Sequence, residues 1–252
     1  MNYQKSKYIG ILYLALMFVM AGLLTAGSVP AAPKAPQNDT QSTALKGQIA
    51  PRLQNLGNHA FPVTTDSTRA QLFFNQGMML TYGFNHAEAM RSFREVARLD
   101  PDCAMAYWGM ALVLGPNINM AMPPEAEPIA YETIQKAVAL KKNASEKEKA
   151  YIDALAKRYS TEEKPNRNAL DLAYAEAMGE LHERYPDDLD VATLYAEAIM
   201  DLRPWNYWTR DMQPYPETSE VMRVLESVLS RNPAHPGAIH LYIHTVELAR
   251  PE

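Results

Sequence analysis

This chain has almost no cysteine, no excess of positive charge and no motif of a known catalytic class. The single cysteine among 252 residues, Cys103, excludes an intramolecular disulfide. It precedes the apolar run AMAYWGMALVL, which favours a buried and inert thiol. The formal net charge is −5. Since a nucleic-acid partner requires a clustered excess of lysine and arginine, no nucleic acid is expected.

Catalytic signatures are missing as well. The sequence has no phosphate-binding loop, dinucleotide fingerprint, serine nucleophile elbow or cysteine–histidine catalytic pair. These absences favour a non-enzymatic protein over an enzyme.

The sequence does contain a helical repeat, and residues 70–103 show it best. They fit a tetratricopeptide repeat, a helix–turn–helix of about 34 residues. Glycine and alanine let two helix backbones approach, aromatic residues fill the space between them, and a proline ends the second helix. With Ala70 as the first position of the repeat, the six matching residues are Phe73, Gly77, Leu80, Ala89, Phe93 and Pro101.

The same periodicity continues along the chain and predicts an all-α fold. We expect a tetratricopeptide-type α-solenoid, a right-handed superhelix of antiparallel helix pairs, over residues 67–252. Insertions at 115–128 and 203–218 are predicted to loop out on the surface. The predicted helices cover residues 68–81, 86–99, 103–114, 126–141, 146–159, 168–185, 188–201, 217–231 and 236–249.

Two helix starts carry the spacing of a capping box, in which two side chains satisfy free amides of the first turn. Thr68 with Gln71 is predicted to cap the first helix, and Ser145 with Glu148 a later one.

The N-terminus has the pattern of an export signal. Lys5 and Lys7 precede an apolar run over residues 9–27, and small residues follow. Two interpretations stay open for residues 1–28, a cleaved signal peptide or an uncleaved membrane anchor. Either way we expect an exported protein, periplasmic or secreted, with this segment as its sole attachment to the inner membrane. Residues 29–66 are predicted to form a flexible linker and an extended lead-in.

Three stretches sharpen the repeat assignment: residues 82–119, 185–208 and 235–247. They resemble a group of bacterial exported tetratricopeptide-repeat proteins, and the resemblance spans roughly residues 57–252. It implies the fold and the export but no biochemical activity. Because members of that group are generally longer, we expect this chain to be the N-terminal part of a longer protein.

A metal site is the first chemical candidate. His240, His244 and Glu247 are spaced so that they share one helix face, and two imidazoles one turn apart can hold a divalent ion such as zinc. His235, just before this helix, is a candidate fourth ligand. The alternative is a polar stripe that only forms hydrogen bonds. The zinc-protease motif HExxH is absent, so this helix supplies no general base of that kind. No other cofactor is expected.

Two loops supply candidate ligand-binding residues. Trp205, Tyr207 and Trp208 lie in the second insertion, where aromatic rings can stack on a ligand. Asn117 and Asn119 lie in the first insertion and can present amides. In the alternative interpretation, the rings fold back against the helices and the asparagines satisfy their own turns.

These observations leave two functional hypotheses. The first is a non-enzymatic, exported scaffold that binds a protein or peptide in the concave groove of its superhelix. The second is a metal-binding protein or metal-dependent enzyme that uses His240, His244 and Glu247.

Overall fold

The computed structural model describes residues 47–249. Within this range the chain has nine α-helices and no β-strand, which confirms the all-α prediction. The predicted signal or anchor, the linker up to residue 46 and residues 250–252 lie outside the described residues. The helices are α1 (Thr68–Tyr82), α2 (His86–Leu99), α3 (Ala104–Leu112), α4 (Ala126–Ala139), α5 (Glu146–Ala156), α6 (Arg167–Arg184), α7 (Leu189–Asp201), α8 (Pro216–Arg231) and α9 (Pro236–Val246).

The helix ends follow local capping chemistry. Ser145 and Glu148 form the predicted capping box at the start of α5. The prediction for α1 is wrong, because Ser67 is the N-cap and its side chain accepts from the amide of Ala70. Gln71 instead turns to the lead-in, where its Oε1 accepts from the Val63 amide at 2.9 Å.

Neighbouring helices pack against each other along the whole described range. Alternate helices also meet, α1 with α3, α3 with α5 and α7 with α9. The first and last helices are in contact as well, which brings α9 against the end of α1.

Phe93 of α2 shows how closely the first helices approach. Its ring is fully buried between two glycines, Gly77 of α1 and Gly109 of α3. A Cβ at Gly77 would lie 2.5 Å from the Phe93 ring, and one at Gly109 would lie 2.6 Å from it. The aromatic ring therefore occupies the space that side chains at these two positions would take.

The lead-in, residues 47–66, has neither helix nor strand but is attached to the helices at several points. Its backbone amides donate to side chains of α1, α2 and α5. The pairs are Ile49 with Glu95, Leu53 with Gln76, Val63 with Gln71 and Thr64 with Glu148. Polar side chains of the helices thus accept hydrogen bonds from the backbone amides of the lead-in, which has no neighbouring strand to pair with.

Phe61 anchors the lead-in with an aromatic contact. Its ring lies 5.4 Å from that of Phe74 in α1, 5.9 Å from Trp108 in α3 and 5.5 Å from Tyr151 in α5. The Trp108 Nε1 donates to the Tyr151 carbonyl at 3.2 Å, so the buried N–H of this ring has a hydrogen-bond partner. One residue of the lead-in therefore packs on three alternate helices.

The two insertions do not simply loop out, so that prediction is wrong for part of each. Ile118 of the first insertion and Tyr207 of the second are buried in one apolar cluster with residues of α7, α8 and α9.

Within residues 47–249, no helix has the length and apolar content needed to cross a bilayer.

Candidate metal centre

The last helix carries two histidines that face each other. The Nε2 atoms of His240 and His244 lie 3.0 Å apart. Their spacing of one helical turn places both rings on the same face of α9, as the sequence predicts. The structure thus brings together two of the three residues of the metal-site hypothesis.

The second nitrogen of each ring is held by an acceptor. His240 Nδ1 lies 2.6 Å from the carbonyl oxygen of Tyr82, which can only accept, so this Nδ1 carries the proton. His244 Nδ1 lies 2.8 Å from the carboxylate of Glu247 and carries its proton for the same reason. In the neutral rings both Nε2 atoms are therefore unprotonated, and their lone pairs point at each other.

Two lone pairs at 3.0 Å repel unless a proton or a cation lies between them. A Zn–N bond is about 2.0–2.1 Å, so two imidazoles on a tetrahedral ion have nitrogens about 3.3–3.4 Å apart. Only a small separation of the rings is needed to reach that distance. The pair offers two oriented nitrogen ligands and leaves the other coordination positions open.

Glu247 takes a different position from the third ligand that the sequence predicts. Its carboxylate contacts Nδ1 of His244, whereas His240 contacts Nε2 of the same ring. Because these nitrogens point in different directions, Glu247 orients His244 and does not converge with the two Nε2 atoms. This is the carboxylate–histidine–metal arrangement, in which the outer carboxylate fixes the tautomer of the ligand.

Two aromatic residues border the histidine pair. The Phe84 ring lies 4.6 Å from the His240 ring, and the Trp205 ring lies 5.1 Å from the His244 ring. Both have a left-handed backbone, with φ of +54° at Phe84 and +60° at Trp205. Such conformations are uncommon for large side chains and persist where the surrounding structure holds them. Trp205 is 42% exposed, so the pair is open to solvent on this side.

The other two predicted ligand-binding rings of the second insertion fold back. Tyr207 is buried, and the Trp208 Nε1 donates to the Thr245 carbonyl of α9 at 2.7 Å. Of the three predicted ligand-binding rings, Trp205 is the exposed one and lies beside the histidines, Trp208 is half-buried and Tyr207 is buried.

Asn117 and Asn119 serve their own loop. The Asn117 side chain accepts from the Asn119 amide at 2.9 Å, and the Asn117 backbone pairs with Met120. Asn117 is buried and Asn119 is exposed, so the two side chains do not converge on a ligand. The local-turn alternative describes the Asn117 side chain, whose Nδ2 also lies 3.5 Å from Nδ1 of His86.

A second cluster contains His235, which the sequence places among the α9 ligands. His59 of the lead-in, Asp190 of α7 and His235 have possible ligand atoms within 4.8 Å of one another. His59 Nε2 lies 2.9 Å from Asp190 Oδ1, and His235 Nε2 lies 3.3 Å from the same oxygen. The Tyr82 hydroxyl donates to this oxygen as well, at 2.6 Å.

The tautomer of His235 argues against a metal ion in this second cluster. Its Nδ1 accepts from the amide of Ala238 and so caps α9. Neutral imidazole has one N–H, so Nε2 carries the proton; this nitrogen lies 3.3 Å from Asp190 Oδ1 but does not form a well-aligned hydrogen bond with it. Binding a cation through Nε2 would require a proton on Nδ1 and the loss of the helix cap. The cluster is therefore a carboxylate surrounded by donors that ties the lead-in and α1 to α7 and α9.

Electrostatics support this assignment. Burial by itself would raise the pKa of Asp190, but the nearby His235 ring and the hydrogen bonds with His59 and Tyr82 outweigh it and hold the pKa well below its usual range. The carboxylate is thus ionised at neutral pH, in contact with three donor groups.

A third polar cluster is buried between α5, α6 and α7. Arg158 is 3% exposed and donates to Asp171 at 3.1 Å and to Asp201 at 2.7 Å. Burial and the Asp201 carboxylate raise the pKa of Glu197 to about 8. Burial raises the pKa of Asp201 too, against the opposing effect of Arg158. At neutral pH this arrangement retains a proton on Glu197, because two adjacent carboxylates with little access to water cannot both ionise easily.

Sequence reasoning identified the α9 histidine pair and missed the other two clusters. His59, Asp190 and His235 come from three distant parts of the chain, and Arg158 shows no spacing signal with Asp201.

No protein-family model, no curated protein and no solved structure matches this chain. The functional interpretation therefore depends on the geometry of these residues.

Proposed function

We propose that this chain is a helical-repeat protein that binds a divalent transition-metal ion through His240 and His244. The observation that carries the proposal is the pair of facing Nε2 atoms, each left unprotonated by a hydrogen bond from Nδ1 to an acceptor. We assign binding and not catalysis, because the sequence holds no catalytic signature.

The chemistry of the ligands limits the metal. Imidazole nitrogen suits zinc, copper and nickel, whereas calcium and magnesium prefer oxygen ligands. Two protein ligands leave positions for water or for a group from a bound molecule. Trp205 and Phe84 beside the rings would give such a molecule an aromatic surface.

The wider architecture that we propose is the tetratricopeptide-type α-solenoid. Packing of consecutive helices, together with contacts between alternate helices, supports it. Export and the resemblance to exported repeat proteins stay predictions from the sequence.

The test is metal binding by the full chain, purified in detergent without an affinity tag and freed of metal by a chelator. Calorimetric titration with Zn²⁺ is expected to show one ion per chain, and His240→Ala or His244→Ala should weaken binding at least about tenfold. With Cu²⁺, electron paramagnetic resonance should show coupling to two nitrogens, and one in either variant.

Four further variants make the test specific. Glu247→Gln should weaken binding by about tenfold or more without removing a ligand. His182→Ala changes a histidine outside the cluster and should bind zinc as the original chain does. The proposal would be contradicted if the chain bound no zinc and the two Nε2 atoms shared a proton instead. It would also be contradicted if His59→Ala abolished zinc binding while His240→Ala/His244→Ala kept it.

The sequence also predicts a protein or peptide partner in a concave groove. The lead-in already contacts α1, α5 and α7 through hydrogen bonds, and these are alternate helices that would line such a groove. A peptide partner would have to displace it, so groove binding stays a prediction from the repeat pattern.

A further inference from the structure

A cleft lies on a different part of the molecule from the histidine pair. It is formed by the end of the first insertion, the start of α4 and the segment that joins α5 to α6. Its volume is about 770 Å³, within the range of about 300–1,000 Å³ that small-molecule sites usually have.

The walls of the cleft are mainly apolar and stiff. Four prolines and a methionine contribute to them, together with the half-buried ring of Tyr131. Proline has no amide hydrogen to offer an anion, and its fixed φ limits the entropy lost when a ligand binds. The prolines are Pro123, Pro124, Pro128 and Pro165.

The floor of the cleft is neutral because its charges pair with each other. Arg167 donates to Glu127 at 2.6 Å and to Asp171 at 3.1 Å, and it also contacts the Arg158 carbonyl. The second oxygen of Glu127 accepts from the Ser160 amide at 2.8 Å. The guanidinium is thus engaged within the protein and does not form an anion site.

The rim is acidic. Glu132, Glu162 and Glu163 are exposed along it, and Lys164 is the cation among them. Within residues 47–249 none of these three carboxylates takes part in an ion pair. The rim therefore has an excess of negative charge above apolar walls.

We propose that this cleft binds a small organic cation with an apolar body. The walls would take the apolar part, the rim carboxylates would attract the charge, and the Tyr131 ring would offer its face to the cation. An apolar anion would contact the same walls, but the rim carboxylates would repel it.

Two ions of matched shape test the proposal. Tetraphenylphosphonium is a cation and tetraphenylborate is an anion of nearly the same size. Calorimetric titration of the full chain at low salt is expected to show saturable binding of the phosphonium and at least about fivefold weaker binding of the borate. Added salt should reduce the preference, because it screens the exposed carboxylates.

Variants locate the binding. Glu162→Gln/Glu163→Gln should weaken phosphonium binding several-fold and leave borate binding unchanged or stronger. Glu176→Gln/Glu183→Gln removes the same charge from the exposed face of α6 and should have little effect. Equal binding of both ions, no binding of the phosphonium, or equal loss in both double variants would overturn the proposal.

Discussion

At the scale of single residues, glycines set how closely the first helices pack. The ring of Phe93 fills the space beside Gly77 and Gly109, and the ring is fully buried. The repeat consensus calls for a glycine at position 77, and the structure shows the aromatic ring that excludes a larger residue there.

Gly77→Ala should therefore destabilise the protein, although alanine favours helix. The added methyl would lie 2.5 Å from the Phe93 ring, and such overpacking costs about 1–3 kcal/mol. Gly179→Ala is the matched control, because its Cβ would lie 3.2 Å from a half-buried tyrosine. The control should change the free energy of unfolding by less than about 1 kcal/mol. Equal effects in urea denaturation would contradict the role of Phe93.

At the scale of elements, the lead-in is the feature that local sequence patterns describe least well. The helices follow from spacing and caps within a few residues, and the structure has all nine of them. The attachment of the lead-in depends on pairs far apart in the chain. Thr64 and Glu148, for example, are separated by 84 residues. The capping box explains Glu148 from the sequence alone, so nothing there signals its second partner.

Glu148 both caps α5 and holds the lead-in, and two variants separate these two roles. Its carboxylate accepts from the Ser145 amide at 2.7 Å and from the Thr64 amide at 2.6 Å. Ser145→Ala removes part of the cap and should cost about 1 kcal/mol. Glu148→Ala also frees the lead-in and should cost about 2–3 kcal/mol.

The sharper readout is limited proteolysis at Arg52 of the lead-in. Trypsin should cleave there faster in Glu148→Ala than in Ser145→Ala, because only the first variant loses the contact with Thr64. Equal cleavage rates would show that Glu148 acts through the helix cap alone.

At the scale of the whole molecule, contact between the first and last helices creates the candidate metal centre. The spacing of His240 and His244 is local, and it predicts that the two rings share a face. The tautomer of His240 depends on the Tyr82 carbonyl, 158 residues away in the chain. Spacing alone leaves open whether these histidines present protons or lone pairs, and the packing of α9 on α1 decides it.

Two buried carboxyl clusters should give the stability of the molecule opposite responses to pH. Asp190 has a lowered pKa, so its contribution is present above about pH 4 and is lost as the pH falls further. Glu197 has a pKa raised to about 8, so the folded state retains a proton that the unfolded chain releases above about pH 4. Its contribution is therefore greatest in acid and declines as the pH rises toward 8.

Glu197→Gln isolates the second response, because glutamine keeps the shape of the side chain and does not ionise. Tyr174, Asp201, Arg158 and His86 line the same small cavity and stay unchanged in this variant. The melting temperature of the variant relative to the original chain should rise between pH 5 and pH 8, by about 2–4 °C for each kcal/mol of relieved ionisation cost. Glu176→Gln, on the exposed face of α6, should show a difference that does not vary with pH. If Glu197→Gln behaves in the same way, Glu197 ionises freely in the folded protein, and its proton does not contribute to stability.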